Sequence, residues 1–189
     1  MTSFLYNMAM QETPFMKLVS QRRSVRRYKP LPVEKEKLMV CLEAARLAPS
    51  ACNAQPYKFM VVSDPAAKEK LAEAAFSGVY FSCKFAAAAG ALVVVVSQKG
   101  KVTAWLGNQM RDTNFRLMDI GIAAEHFVLA AEEQGLATCW LGWFNAKGAA
   151  RALSLPAGAK AEVMLSVGYA DEAPPARRRK SLEEIASLI

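Results

Sequence analysis

The sequence predicts an α+β domain of three layers. Three observations carry that prediction. Leu92 to Val96 is the most β-branched stretch and is continuously apolar, as a strand buried on both faces requires. Glu162 to Tyr169 alternates, with Val163, Leu165, Val167 and Tyr169 on one side, which marks a second strand. Helical patterns separate most strands, yet no G-x-G-x-x-G and no G-x-x-x-x-G-K-[ST] follows the first strand, as a doubly wound nucleotide-binding fold would want. At 189 residues, with no linker or internal repeat, residues 1–189 are expected to form one domain with a real core.

The elements follow in order. Thr13-Pro14 supplies an N-cap and first-turn proline for a short helix through Phe15, Met16, Leu18 and Val19. A second helix is expected to open at Pro32, with Leu38, Leu42 and Ala45 on one face, and to end before Pro49. Tyr57 to Val62 reads as a strand. Asp64-Pro65 caps a third helix reaching about Phe76. The longest helix is expected from about Asp112 to Gln134. It carries Phe115, Met118, Ile122, Phe127 and Ala130 at helical spacing, is apolar on other faces too, and has Gly135 at C′. Such a helix belongs in a core or at a subunit interface. Thr138 to Leu141 is a short strand, Asn145 caps a small helix through Leu153, and Ser181-Leu182-Glu183-Glu184 is a capping box that opens a terminal helix.

Composition narrows the function. Hydrophobic residues make up 53% and charged residues 22%, which excludes disorder for most of the chain. The longest apolar run, Phe85 to Val96, falls short of the roughly 20 residues a membrane span needs, so no membrane partner is expected. The N-terminus has no basic region followed by an apolar block, so no secretory signal is expected. Cysteines 41, 52, 83 and 139 form no C-x-x-C pair. They read as reduced thiols in a cytoplasmic protein, and no zinc or other metal site is expected. His126 is the sole histidine, which argues against Ser-His-Asp and Cys-His catalysis. It is expected to be a hydrogen-bonded core or interface residue. An enzyme of this composition borrows its chemistry from a cofactor.

The net charge of +7 is localised. Arg22, Arg23, Arg26, Arg27 and Lys29 form one cluster; Arg177, Arg178, Arg179 and Lys180 form another. Without these nine, 15 basic residues face 17 acidic ones. Nucleic-acid binding would call for a broader basic face or a recognisable module, so no nucleic-acid partner is expected. Two arginine clusters that fold together suit a phosphate group, because the guanidinium donates paired hydrogen bonds to phosphate oxygens.

Four segments, in order along the chain, resemble the FMN-dependent nitroreductase family. They are Arg22-Arg23-Ser24-Val25-Arg26-Arg27-Tyr28, Ala48-Pro49-Ser50-Ala51-Cys52-Asn53-Ala54-Gln55-Pro56-Tyr57, Gly135-Leu136-Ala137-Thr138-Cys139-Trp140-Leu141-Gly142, and Arg179-Lys180-Ser181-Leu182-Glu183-Glu184-Ile185. The resemblance implies a three-layer fold with a mainly antiparallel central sheet flanked by helices. It implies a homodimer with FMN at the subunit interface and a C-terminal arm wrapping the partner. Arg22, Arg23, Ser24 and Arg26 match flavin-contacting positions, and Arg179, with Arg177 as helper, matches the terminal phosphate-binding arginine. Pro49 and Ser50 match residues lying against the flavin, with Asn53 and Gln55 orienting that loop or touching the ring. Trp140, Leu141 and Gly142 match the stretch that passes the ring, where a backbone N–H of Leu141 or Gly142 meets flavin N5. No side chain is assigned as catalytic. Gly142 stands where some relatives carry Glu, so proton delivery by water or substrate is implied. Cys52 lies near the substrate side as an inert thiol, and Lys84 lies near a flavin-contacting lysine of some relatives. The region from about Phe76 to Asn114 supplies the helical excursion over the flavin, in a short version.

The implied activity is ping-pong transfer of hydride from NAD(P)H through flavin N5 to a small-molecule acceptor, a nitroaromatic or a quinone. The alternatives are an atypical member of the superfamily (a reductive dehalogenase, a flavin-fragmenting enzyme or a dehydrogenase) and a flavin carrier or sensor without efficient turnover.

Overall fold

A computed structural model describes residues 13–98 and 113–189. Four strands form one antiparallel sheet: β1 (Tyr57–Val62), β2 (Ala91–Ser97), β3 (Ala137–Leu141) and β4 (Lys160–Gly168), in the spatial order β1-β2-β4-β3. The helices are α1 (Pro14–Gln21), α2 (Lys35–Arg46), α3 (Pro65–Ala75), α4 (Phe115–Glu133), α5 (Ala146–Ala152) and α6 (Leu182–Ile185). A 3₁₀ turn, Ala51–Asn53, follows α2, and a long 3₁₀ segment, Gly78–Ala88, leads into β2.

The sheet is sandwiched. On one face, Val93, Leu165 and Val167 pack against Leu38, Cys41 and Ala45 of α2 and against Phe127, Val128 and Ala131 of α4. On the other, Val94, Val96, Leu141 and Met164 pack against Leu71, Ala72 and Ala75 of α3 and against Ala149 of α5. This is the expected three-layer α+β arrangement. β2 is buried at every residue, as its unbroken apolar run requires. β4 differs from the alternating expectation: Met164 and Ser166 are as buried as Leu165 and Val167. Its position between β2 and β3, with helices above and below, buries both parities.

The caps act as their sequences predict. The Thr13, Asp64 and Asn145 side chains accept from the backbone N–H of Met16 (3.2 Å), Ala67 (2.9 Å) and Gly148 (2.9 Å). Ser181 and Glu184 form the capping box. Gly135 follows α4 at φ +72°, the left-handed residue that ends the helix. α2 begins at Lys35 rather than at Pro32. Val33 is buried in the α2–α4 core layer, and extended Glu34 (φ −63°, ψ 136°) is the N-cap.

One other expectation narrows: of the hydrogen-bonded core or interface position expected for His126, the core is ruled out and the hydrogen bond is present. His126 is exposed, not in the core of this chain; its ring Nδ1 pairs with the Ile122 carbonyl at 2.8 Å. It lies on an outward face of α4 that also exposes Met118 and Ile122. The described part of the 76–114 excursion holds a helical 3₁₀ segment, Gly78–Ala88, and the expected strand β2. Its remainder, with the expected helix start at Asp112, lies outside the described residues.

The α3–α5 contact is tight enough to test. A Cβ on Gly148 would stand 2.2 Å from the Ala74 carbonyl oxygen. Gly148→Ala therefore forces these helices apart and is expected to lower stability by about 1–2 kcal/mol, within the usual range for overpacking. Chemical denaturation reads the change.

Candidate functional site

The first basic cluster lies along β3. After α1 the chain runs beside that strand: Ser24 bridges Thr138 in parallel, and Val25 N–H donates to the Thr138 carbonyl at 3.0 Å. Val25 and Tyr28 point inward. The Tyr28 hydroxyl meets the Val25 carbonyl (2.7 Å) and Ser166 Oγ (2.8 Å), and burial pushes its pKa upward. With these two residues anchored, Arg22, Ser24 and Arg26 are left on the β3 side of the stretch.

The arginines have distinct surroundings. The largely covered Arg22 side chain stands 4.0 Å from Glu125 of α4. The same Glu125 carboxylate accepts from Trp140 Nε1 at 3.1 Å. The Arg26 guanidinium lies 5.8 Å over the Phe85 ring and has only a 3.5 Å contact with the Ser24 carbonyl. Both charges reach β3: the buried Cys139 thiol is pushed up by burial, and Arg26 and Arg22 oppose that shift. Arg23 turns the other way. Its NH1 donates to the carbonyls of Ser20, Gln21 and Arg22, satisfying orphan acceptors at the end of α1. Of the four predicted flavin residues here, Arg22, Ser24 and Arg26 thus face β3, while Arg23 caps a helix.

β3 delivers the third predicted segment to the same place. Trp140 is half-buried against Glu125, and Leu141 sits in the core. Gly142 is exposed, and nothing lies within 4 Å of where its Cβ would be. The backbone at the end of β3 therefore borders open space.

The second segment forms an unusual loop. Pro49 is exposed and Ser50 is extended. Cys52 (φ 52°), Asn53 (φ 51°) and Gln55 (φ 45°) are all left-handed without being glycine. The loop is held from both sides. Ser50 Oγ accepts from Gln55 N–H at 3.0 Å, and Asn53 Oδ1 accepts from Gln55 Nε2 at 2.9 Å. From α4, Asp119, only 4% exposed, accepts from Ala51 N–H at 2.9 Å. Tyr57, at the end of the loop, has its hydroxyl pKa raised by burial and, less strongly, by the Asp119 charge.

The C-terminal arginines stay apart from the first cluster. Beyond Tyr169 the chain is extended and largely exposed. Arg179 NH1 reaches only the Arg178 carbonyl (3.3 Å), and no hydrogen bond or ion pair joins Arg177 or Arg179 to Arg22 or Arg26 among the described residues. Further up, the stretch is tied to that cluster: Tyr28 bridges Ala170, Asp171 N–H donates to the Arg27 carbonyl at 2.9 Å, and Glu172 adds side-chain contacts. Glu172 Oε1 accepts the backbone N–H of Arg26 (2.5 Å) and Arg27 (3.1 Å), and Oε2 lies 3.8 Å from Arg27 Nε. The Arg26 N–H is the main reason its carboxyl sits below the usual range. A depressed folded-state pKa means stabilisation that is complete above the ordinary carboxylate range and lost as pH falls through the folded value. Glu172→Gln is thus expected to lower Tm at pH 7, with the gap to the unsubstituted protein closing on titration to about pH 3.

Sequence reasoning missed Glu125, Glu172 and Asp119. For Asp119 a signal existed: a carboxylate beside Ile120 in the apolar run of α4 implies a specific partner, because burying one unpaired is costly. A cavity of about 870 Å³ between α3 and the Gly78–Ala88 segment is lined by Lys68, Phe76, Phe81 and Lys84, and by none of Arg22, Arg26 and Gly142. No group of three metal-ligating side chains occurs among the described residues.

An antiparallel sheet layered by helices, with Arg22 and Arg26 set along its edge strand β3, defines an α+β protein with a basic sheet edge. The nitroreductase family profile matches residues 19–82 and 80–169, and the chain belongs to that family. An Archaeoglobus fulgidus protein provisionally named NADH dehydrogenase/NAD(P)H nitroreductase is 31% identical over 158 residues, covering 82% of this chain and 84% of its own. A solved FMN-dependent nitroreductase from Clostridium difficile R20291 is 29% identical, with a TM-score of 0.71, covering 91% of this chain and 96% of its own. An iodotyrosine deiodinase from Thermotoga neapolitana is 26% identical over 173 residues, covering 84% and 89%.

Proposed function

We propose that the protein is an FMN-dependent NAD(P)H oxidoreductase that reduces nitroaromatic, quinone or related small-molecule acceptors. The observation that carries this reading is that Arg22 and Arg26 both lie along β3, where their charges act on Cys139, and that the same strand ends in open backbone at Gly142. That donor set fits a flat ring bearing a phosphate. Two guanidinia serve an anion, and an exposed strand end offers backbone N–H groups with no side chain in the way. Bound there, FMN supplies two-electron hydride chemistry, taken from NAD(P)H and passed on in a ping-pong cycle.

The chain's own groups hold and tune that site. Arg22 and Ser24 bind the phosphate side. Arg26 places positive charge at the pyrimidine edge, where negative charge develops. Pro49, Ser50 and Asn53 form a wall against the ring, held by Asp119. Trp140, Leu141 and Gly142 present the ring-facing backbone. Gly142 brings no acid, so the proton comes from water or the acceptor.

The site is completed by a second copy. The exposed apolar residues of α4 and those of the arm, Leu182, Ile185, Leu188 and Ile189, support a homodimer. In it the arm of one protomer carries Arg177 and Arg179 to the other's flavin. The protein acts in the cytoplasm; no described helix is long and apolar enough to cross a membrane.

Initial rates with NADH and a quinone varied together test the cycle. Parallel double-reciprocal lines are expected. Intersecting lines would require both substrates to be bound at once and would overturn the ping-pong order.

A further inference from the structure

The loop after β3 fixes an aromatic residue in solvent. Trp143 follows Gly142 and is 58% exposed, yet its indole N–H donates to the Val79 carbonyl at 3.0 Å. Its ring centroid lies 5.2 Å from that of Tyr80, tilted by 51°. Val79 and Phe81, on the same 3₁₀ segment, are 75% and 69% exposed. The polar atom of the indole is thus already satisfied, while most of the ring stays in water. None of these four residues is charged. Lys84 and Phe81 line the cavity against α3, which neither Trp143 nor Tyr80 lines.

We propose that Trp143, backed by Tyr80, selects the electron acceptor by offering neutral, flat ring systems a fixed stacking face beside Gly142. The inference rests on the oxidoreductase reading of this site. Its physical basis is preorganisation. The hydrogen bond to Val79 and the contact with Tyr80 hold the ring before any ligand arrives, so little side-chain freedom is lost on binding. Aromatic stacking favours planar acceptors of the naphthoquinone class over compact ions, which have no face to stack. The ring is open to solvent, and its neighbour Gly142 brings no side chain.

The test compares menadione, a flat neutral quinone, with ferricyanide, a compact anion without a ring, in the FMN-loaded protein and its Trp143→Phe and Trp143→Ala variants. In Trp143→Ala the ratio of the menadione KM to the ferricyanide KM is expected to rise about tenfold. In Trp143→Phe, which keeps a ring, it is expected to rise by no more than about threefold. The emission that belongs to Trp143, taken as the difference between the unsubstituted protein and Trp143→Phe as purified so that Trp105 and Trp140 cancel, is expected to be quenched saturably by menadione. An unchanged KM ratio in Trp143→Ala overturns the proposal. So does a shift from dimer to monomer with the ratio unchanged, which would make the patch a subunit contact. If the protein takes up no flavin, the oxidoreductase reading fails on that ground, and the quenching titration alone decides whether Trp143 holds a flat ring.

Discussion

Replacing Arg22 with alanine is expected to weaken FMN binding by about 2–3 kcal/mol, roughly 30- to 150-fold, while leaving the protein folded. The magnitude follows from the lost contacts. A guanidinium–phosphate pair is charge-assisted and frequently bidentate, and the Arg22 side chain is mostly covered, so solvent screens it less than an exposed arginine. The fold should survive, because the partner left behind, Glu125, is well exposed and keeps the Trp140 indole. Arg22→Lys should recover part of the loss through its charge without the planar fork. Titration of FMN fluorescence against flavin-free protein reads both effects. An affinity for Arg22→Ala within threefold of the unsubstituted protein would remove Arg22 from the site.

Asp119→Ala is expected to lower stability by about 2 kcal/mol and to weaken flavin uptake as well. The carboxylate is buried in α4 and is the side chain that fastens Ala51 N–H. Removing it strands that donor in a loop that already keeps Cys52, Asn53 and Gln55 left-handed. Once released, the loop can relax, and Pro49 and Ser50 move with it. Asp119→Asn retains a carbonyl acceptor and should lose less than about 1 kcal/mol. Urea denaturation separates the two variants. Equal losses in both would mean that charge, rather than acceptance of the Ala51 N–H, is what Asp119 contributes.

Much of the fold was legible, for local reasons. Thr13-Pro14, Asp64-Pro65, Asn145 and the Ser181 capping box act within a turn, so the sequence alone identifies them. β2 could be read because its apolar run fits a strand with two covered faces. β4 was read as one-sided because its polar members, Ser166 and Glu162, mimic a solvent face. Ser166 instead pairs with the Tyr28 hydroxyl, a contact 138 residues apart in the chain. The start of α2 was misplaced because Val33 is held by the core, and local propensity does not report that.

The site was legible in part. Arg22, Ser24, Arg26 and Gly142 could be proposed from motifs; the first three lie along β3, and Gly142 follows its last residue. That Arg23 caps α1 depends on the direction of a side chain, which sequence does not give. Glu125 and Glu172 were invisible because each acts through tertiary contact: one with Arg22 and Trp140, the other with the backbone of Arg26 and Arg27. Among the described residues, Arg177 and Arg179 find no partner side chain.

The central claim is that this chain holds a flavin which NAD(P)H reduces. The most direct test is the visible absorbance spectrum of the purified protein, after addition of FMN if needed, followed by anaerobic addition of NADH and then NADPH. The predicted result is a flavin band that bleaches within the mixing time with at least one nucleotide. A band that persists would make the protein a carrier or a member with other chemistry, and no band even after added FMN would contradict the account at its base.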